Sequence, residues 1–216
     1  MLYRHIPAML NEVISYLECK PGKIIVDCTL GGCGHAKAIC EGISPDGLFI
    51  GIDQDIDATN NAEMVLQSYS LEHHIFHGNF IHLSEYLTQL NIESVDGILM
   101  DLGLSLHQLE NSGRGFSFRK DEILDMRMDV RSSLTAANLV NNLSQEELRN
   151  LFREYGEERW ASQIARKIIN IRRQKKIETS NQLAQLVLDS IPAGASARQK
   201  IHPATRVFMA LRIAVN

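Results

Sequence analysis

Long apolar runs are missing from this chain. The opening segment Met1-Leu2-Tyr3-Arg4-His5-Ile6-Pro7 reads as neither a signal peptide nor a membrane span. Cysteine is scarce and unpatterned: Cys19, Cys28, Cys33 and Cys40 form no C-x-x-C pair and no zinc-like spacing. Free thiols in a reducing compartment, and hence a cytoplasmic location, are the expectation. Positive charge is not in excess. The formal net charge of −4 argues against a generic nucleic-acid coat protein and leaves room for a local basic patch. What is present is ordinary for a globular protein: 44% apolar and 22% charged residues in a chain of 216. That length buries a sizeable core, in one large domain or two small ones.

The richest stretch runs from Ile24 to Asp53. Ile24-Ile25-Val26 reads as a buried strand stopping at Asp27, followed by the turn Gly31-Gly32-Cys33-Gly34 and a helix from His35 to Glu41. Leu48-Phe49-Ile50-Gly51-Ile52 is the next strand, closed by Asp53. An acid about 20 residues beyond a glycine-rich first turn accepts both hydroxyls of a ribose in Rossmann-like units. A dinucleotide frame would place glycine at both ends and in the middle, so that bare backbone meets a pyrophosphate. Gly31 and Ala36 fit the ends, but Cys33 occupies the middle. Asp27, Asp53, Asp55 and Asp101 fall at strand ends or just beyond, and converging carboxylates repel phosphates and suit a cationic ligand. S-adenosylmethionine carries a ribose, an ammonium and a sulfonium without phosphate, and is preferred over a nicotinamide cofactor.

The pattern continues with a helix from about Asp57 to Gln67, a strand near His74–His77, a helix around Leu83–Leu90 and a fourth strand over Val95–Met100. Alternating strands and helices predict a parallel sheet covered on both faces, with the ligand beyond the carboxyl ends at Asp27, Asp53, Asn79 and Asp101. Residues 105–132 have no clear period and read as an extended loop. From Leu134 onward the chain is helical: Ser144 to Glu147 is a capping box with Gly156 as C-cap, and Thr179 to Gln182 is a second box, its helix ended by Pro192. The stripe Trp160, Ile164, Ile168 and Ile171 is a helix face packed on a core. His73, His74, His77 and His82 match no ligand set, and positions 73 and 74 point to opposite faces of a strand, so no metal is expected.

Several blocks together resemble one family. They are His5 to Leu10, Asp27 to His35, Gly51-Ile52-Asp53, Gly78-Asn79-Phe80, Asp101 to Ser105, Arg114-Gly115-Phe116-Ser117-Phe118, Leu124 to Asp129, Tyr155 to Glu158, and His202 to Arg206. This chain is similar over nearly its whole length to the ribosomal RNA small subunit methyltransferase H, or MraW, family. The resemblance implies an S-adenosyl-L-methionine-dependent RNA methyltransferase acting on N4 of a cytosine in 16S ribosomal RNA of the small ribosomal subunit. It implies a donor site of Cys33, Gly34, His35, Asp53, Phe80, Asp101 and Gln108; Phe80 (near the adenine) and Gln108 come from the resemblance alone. The implied fold is α/β, a Rossmann-like methyltransferase sheet with an inserted all-α helical domain. The division expected is 1–104 for donor binding, 105–201 for a loop and helical substrate-recognition insertion, and 202–216 for a return helix toward the methyltransferase domain.

The family usually carries glycine where Cys28 and Cys33 stand, and Glu122-Ile123 replaces a usual Gly-Pro. The Cys33 side chain is expected to crowd the methionine end of the donor. The family also continues past Asn216 into further strands. The sheet is therefore expected to be incomplete, with Phe208, Leu211 and Val215 short of packing partners. Weak donor binding and poor methylation by this chain are expected to follow.

Asp101 is the best-placed acceptor for an N–H of the reacting amine, or else holds the donor's own amine or ribose. RNA contact is assigned to Arg172, Arg173, Lys175 and Lys176, with Arg166, Lys167, Arg198, Lys200 and Arg206 nearby in sequence, and to the loop of Arg114, whose Phe116 or Phe118 would stack on an unstacked cytosine. The rival readings are a non-catalytic RNA-binding or assembly module and a nucleotide-dependent oxidoreductase.

Overall fold

The computed structural model describes residues 7–192, 194 and 201–216. His5, Ile6, Arg198 and Lys200 lie outside the described residues. The chain divides into two compact units at His107/Gln108.

In the first unit α1 (Leu10–Tyr16) leads to β1 (Ile24–Asp27), α2 (Gly34–Ile43), β2 (Leu48–Asp53), α3 (Ile56–Leu66), β3 (Glu72–His77), a 3₁₀ turn (Phe80–His82), α4 (Leu83–Gln89) and β4 (Gly97–Leu99). The strands form one parallel sheet in the order β3-β2-β1-β4. The two central strands β1 and β2 are buried on both faces, which is why they are runs of Ile, Val, Leu and Phe, whereas the outer β3 (Glu-His-His-Ile-Phe-His) and β4, whose Ile98 is exposed, are only partly covered. Successive side chains go to opposite faces. Ile25 and Phe49 pack with Ala36, Ile39, Cys40 and Ile43 of α2 and Leu66 of α3. Val26, Ile50 and Ile52 pack with Phe76, Phe80, Leu83 and Tyr86 on the other side. Each fully buried aliphatic here contributes roughly 1.5–3 kcal/mol.

The second unit holds α6 (Ala136–Asn142), α7 (Gln145–Glu154), α8 (Ala161–Arg172), α9 (Ser180–Leu188) and α10 (Ala204–Val215); the short α5 (Leu106–Glu110) spans the division. Both capping boxes form, Ser144 with Glu147 and Thr179 with Gln182, and a third joins Thr135 to Asn138. Each satisfies two backbone donors at a helix start.

Several expectations are corrected here. Gly156 is not the left-handed C-cap of α7: Tyr155 caps the helix in right-handed geometry, and the positive φ belongs to Glu157. Glycine is needed at 156 because an added Cβ would lie 2.6 Å from the Arg206 carbonyl oxygen. Phe208 and Leu211 do not lack partners. Both are fully buried, because α10 packs on α6, α7 and α9. Residues 105–132 are not an open loop: α5 interrupts them, and Phe116, Leu124 and Met126 are fully buried.

Candidate functional site

β1 lies in the middle of the sheet, with β2 on one side and β4 on the other. Chain order reverses there, and in open α/β sheets such a switch point, beyond the carboxyl ends of the strands, is where ligands bind. Asp27 closes β1 and is fully buried. One oxygen, Oδ1, accepts from the Thr29 backbone N–H at 2.9 Å and from its hydroxyl at 3.3 Å. The other, Oδ2, is buried without a partner among the described residues. Burial pushes the Asp27 carboxyl up to about 6, against the Thr29 backbone bond and the charge of His35, which pull it down. A buried carboxylate oxygen left unpaired is costly to the fold and marks a place where a donor or a cation is to be supplied.

Asp53 closes β2. Its Oδ2 accepts from the Gly31 N–H at 3.0 Å and its Oδ1 from the Asp55 N–H at 2.9 Å. Burial raises its pKa, while those backbone bonds lower it. A carboxylate has about four lone-pair directions; two are used here, and Asp53 is tied to the glycine turn itself. Asp55, also buried, caps α3 by accepting from the Asp57 N–H at 3.1 Å. Asp57 is 3.3 Å from His107.

The turn between β1 and α2 is held by backbone. Gly31 has φ +43 and Cys33, the N-cap of α2, has φ +62. The left-handed geometry at Cys33 explains why glycine suits this position. It also turns the side chain inward. Cys33 is fully buried in the core, its Sγ accepts from Asn61 Nδ2 at 3.2 Å, and burial pushes the thiol up to about 12. The expected crowding of a ligand by this side chain is therefore corrected: only the Cys33 backbone remains to face one. Pro7 lies against Gly34, where an added Cβ would meet its Cδ at 2.8 Å. His35 is nearly buried, with Nε2 3.0 Å from the Ala8 carbonyl and Nδ1 3.9 Å from Asp101 Oδ2.

Asp101, after β4, has its N–H held by the Thr29 hydroxyl at 2.8 Å and a side chain 41% exposed. Phe80 packs beyond β3 against the Val26–Ile52 face, in a turn capped by Asn79, whose Oδ1 accepts from the Ile81 N–H and whose Nδ2 donates to Gln54. Direct contacts in the first unit thus join Asp27, Thr29, Asp101 and His35 in one set and Gly31 and Asp53 in another, and the charge of Asp53 is felt at Asp27. Gln108 belongs to the second unit and is buried. Sequence reasoning missed Thr29, the link between Asp27 and Asp101. Its signal was present: an aspartate two residues before a threonine favours this side-chain-to-backbone turn.

The residues assigned to RNA separate. Arg114 is buried, donates to the carbonyls of Arg127 and Met128 at 2.9 and 3.1 Å, and lies over the Phe116 ring at 5.3 Å. Phe116 has no exposed surface, so neither residue meets a base: both pin the loop. Phe118, half-buried, stacks on His202 at 4.4 Å and meets Phe208 edge-on. Arg172 donates to the Val140 carbonyl at 2.8 Å, and burial lowers its pKa. Arg173, Lys175 and Lys176 are exposed. Among the described residues no group of three His, Cys, Asp or Glu side chains is placed to hold a metal ion, and no helix is long and apolar enough to cross a membrane.

The profile of the MraW methylase family matches residues 2–216. The chain is similar to proteins named ribosomal RNA small subunit methyltransferase H. It is 54% identical over 216 residues to that of Desulfosudis oleivorans and 52% to that of Desulforapulum autotrophicum, in each case covering 100% of this chain and 69% of the relative. The protein of the same name from Syntrophotalea carbinolica is 49% identical over 215 residues, 100% of this chain and 68% of its own length.

Proposed function

The chain belongs to the MraW methylase family, and we propose that it transfers a methyl group from S-adenosylmethionine to the exocyclic N4 of a cytosine in 16S ribosomal RNA of the small subunit, in the cytoplasm. The observation that carries this reading is the unpaired Oδ2 of buried Asp27 at the switch point of the sheet. A crevice with Asp27, Asp53 and Asp101 at its edge repels a pyrophosphate and fits a ligand bearing ammonium and sulfonium charges. The relatives' common name supplies the RNA substrate.

In this reading Asp53 holds the ribose hydroxyls and Phe80 the adenine. The backbone of Cys33, Gly34 and His35 lies along the methionine part, and Asp101 completes the site; the family resemblance adds Gln108. Bound there, the donor supplies an electrophilic methyl group on sulfur. The protein's task is to orient a weak nucleophile, since the cytosine amine shares its lone pair with the ring. An acceptor for its N–H, aligned in advance, favours the geometry in which positive charge develops on N4. Asp101, half-exposed and anchored through Thr29, is that acceptor. Arg173, Lys175 and Lys176 supply phosphate contacts from the second unit.

The test is incubation of the chain with tritiated S-adenosylmethionine and small subunits lacking the modification, followed by nucleoside digestion. Label on N4-methylcytidine is the expected result. Label elsewhere, or none, overturns the proposal. Calorimetric binding of NAD in place of S-adenosylhomocysteine would turn the assignment to the oxidoreductase reading.

A further inference from the structure

The His35 ring has one hydrogen fixed by its surroundings. A carbonyl oxygen only accepts, so the 3.0 Å contact with Ala8 requires that Nε2 carry the hydrogen. In the neutral ring Nδ1 is then a bare acceptor, and it is the nitrogen 3.9 Å from Asp101 Oδ2. Two acceptors at that separation make no hydrogen bond. Once a proton arrives on either one, the pair becomes donor and acceptor, and a small closure joins them. We infer that His35 is a positioning residue for proton removal: it shares with Asp101 the proton that leaves the methylated amine. This rests on the methyl-transfer reading.

The step balances simply. After methylation N4 carries an excess proton; its N–H bond breaks, the electron pair stays on N4, and the proton passes to a carboxylate oxygen of Asp101, hydrogen-bonded onward to Nδ1. The surroundings suit the role. His35 is 6% exposed and cannot turn freely, whereas Asp101 is open enough to meet the amine and later to release the proton to water. The charged groups gathered around the ring are Asp27 from β1, whose carboxyl feels the charge of His35, and Asp101 from beyond β4. The segment Pro7-Ala8-Met9 adds no charge from its side. The ring therefore has two carboxylates within electrostatic reach, and in its neutral form its one hydrogen is committed away from Asp101.

The pH dependence of single-turnover methylation, at saturating donor, distinguishes this role from a structural one. In His35→Gln the amide N–H can still donate to the Ala8 carbonyl, but nothing titrates. The rate at neutral pH should fall about tenfold or more, with the donor KM changed less than about threefold, and the acid limb of the profile should move to lower pH. An active unaltered chain whose profile His35→Gln reproduces would overturn this inference alone. An inactive unaltered chain would overturn the methyl-transfer reading and this inference with it. A readout independent of turnover and of any variant's folding is the imidazole ¹⁵N spectrum of the unaltered chain. A hydrogen on Nε2 with bare Nδ1 is expected for His35, and the opposite tautomer would refute the proposal.

Discussion

The turn after β1 and the loop from Arg114 to Ser132 are both irregular, both polar and both built around a buried aspartate, yet their charges are settled in opposite ways. Asp125 in the loop receives Arg127 side-chain bonds at 2.7 Å on each oxygen and the Arg127 backbone N–H at 3.0 Å. Burial alone would raise its pKa, but those bonds and the charges of Arg127 and Arg114 outweigh it, and the carboxyl is held below the ordinary range. Asp27 has no cation bonded to it among the described residues, one oxygen without a partner and a carboxyl pushed up to about 6. The loop has committed its polar groups to holding its own shape. The turn has left one uncommitted, at the carboxyl end of a central strand where ligands of open α/β sheets bind. The same contrast explains why Arg114, which looked like an RNA contact, is scaffolding.

Removing each aspartate should therefore move stability in opposite directions. The larger effect belongs to Asp125→Ala, which leaves the part-buried Arg127 without its carboxylate, though still bonded to the Val130 and Ser132 carbonyls, and should destabilise the second unit by about 3 kcal/mol. Trp160 is the chain's one tryptophan and lies in that unit, so urea unfolding followed by its fluorescence is the measurement. The pH sign follows from the depressed carboxyl. This stabilisation is present above the ordinary aspartate value and is lost as pH falls through the lower folded value. A loss below about 1 kcal/mol would dissolve the contrast from the loop side.

Asp27→Asn should stabilise. An ordinary aspartate titrates near 3.8 and Asp27 near 6, so keeping it ionised at pH 7 costs on the order of 3 kcal/mol. An amide leaves an N–H₂ group at the unpartnered position and takes back about 1 kcal/mol, for a net gain of about 2 kcal/mol. The gain should vanish at low pH. With a raised folded value, the wild-type contribution is fully present below the unfolded value and is lost as pH rises through about 6. Binding of S-adenosylhomocysteine should meanwhile weaken about tenfold, the equivalent of roughly one charge-assisted bond. A variant that gains stability and binds as before would leave Asp27 a strained acid without a ligand role.

A smaller effect tests the turn's backbone. In helix interiors alanine is favoured over glycine by about 1 kcal/mol. At Cys33, with φ +62, the order should reverse. Cys33→Ala removes the sulfur and keeps the left-handed strain, whereas Cys33→Gly removes the sulfur and the strain together. Thermal unfolding should place glycine above alanine by about 1 kcal/mol. The ordinary order would mean that the turn carries no such strain.

How much of this was legible in the sequence depends on the range of the interactions concerned. Strand runs ending in acids, and the Ser144 and Thr179 boxes, are local signals, and the elements stand where those signals put them within a few residues. The role of Gly156 was misread because the reason for it is a carbonyl at Arg206, on a helix far along the chain. The loop at Arg114 has no period because scattered bonds to distant residues hold it, such as the Leu124 N–H to the Glu178 carbonyl and the Arg114 side chain to the Arg127 and Met128 carbonyls. Its last clamp is Asn216, whose side chain accepts from the Met128 N–H and donates to the Met126 carbonyl across 90 residues of sequence. Asp27, Asp53 and Asp101 were visible as strand-end acids. That one oxygen of Asp27 goes unpaired is a fact of packing that no spacing encodes.

The basic run after α8 carries the comparison to a single stretch of sequence. Arg172 is used as Asp125 is used, inwardly, on the Val140 carbonyl; Arg173, Lys175 and Lys176 are exposed. Arg172→Ala should thus cost up to about 1 kcal/mol of stability through the carbonyl it leaves, with the salt dependence of RNA binding unchanged. Replacing Arg173, Lys175 and Lys176 by Ser should leave stability within about 0.5 kcal/mol, as is usual for exposed positions. It should instead reduce the log–log salt slope of RNA binding by about 0.7–0.9 for each phosphate no longer neutralised. The titration to run is fluorescence anisotropy of a labelled small-subunit RNA fragment over a range of salt. A slope that falls with Arg172→Ala and holds with the triple replacement would reverse the division between scaffold and contact. A slope that holds in both would make this run a solvated face and move the RNA surface elsewhere on the protein.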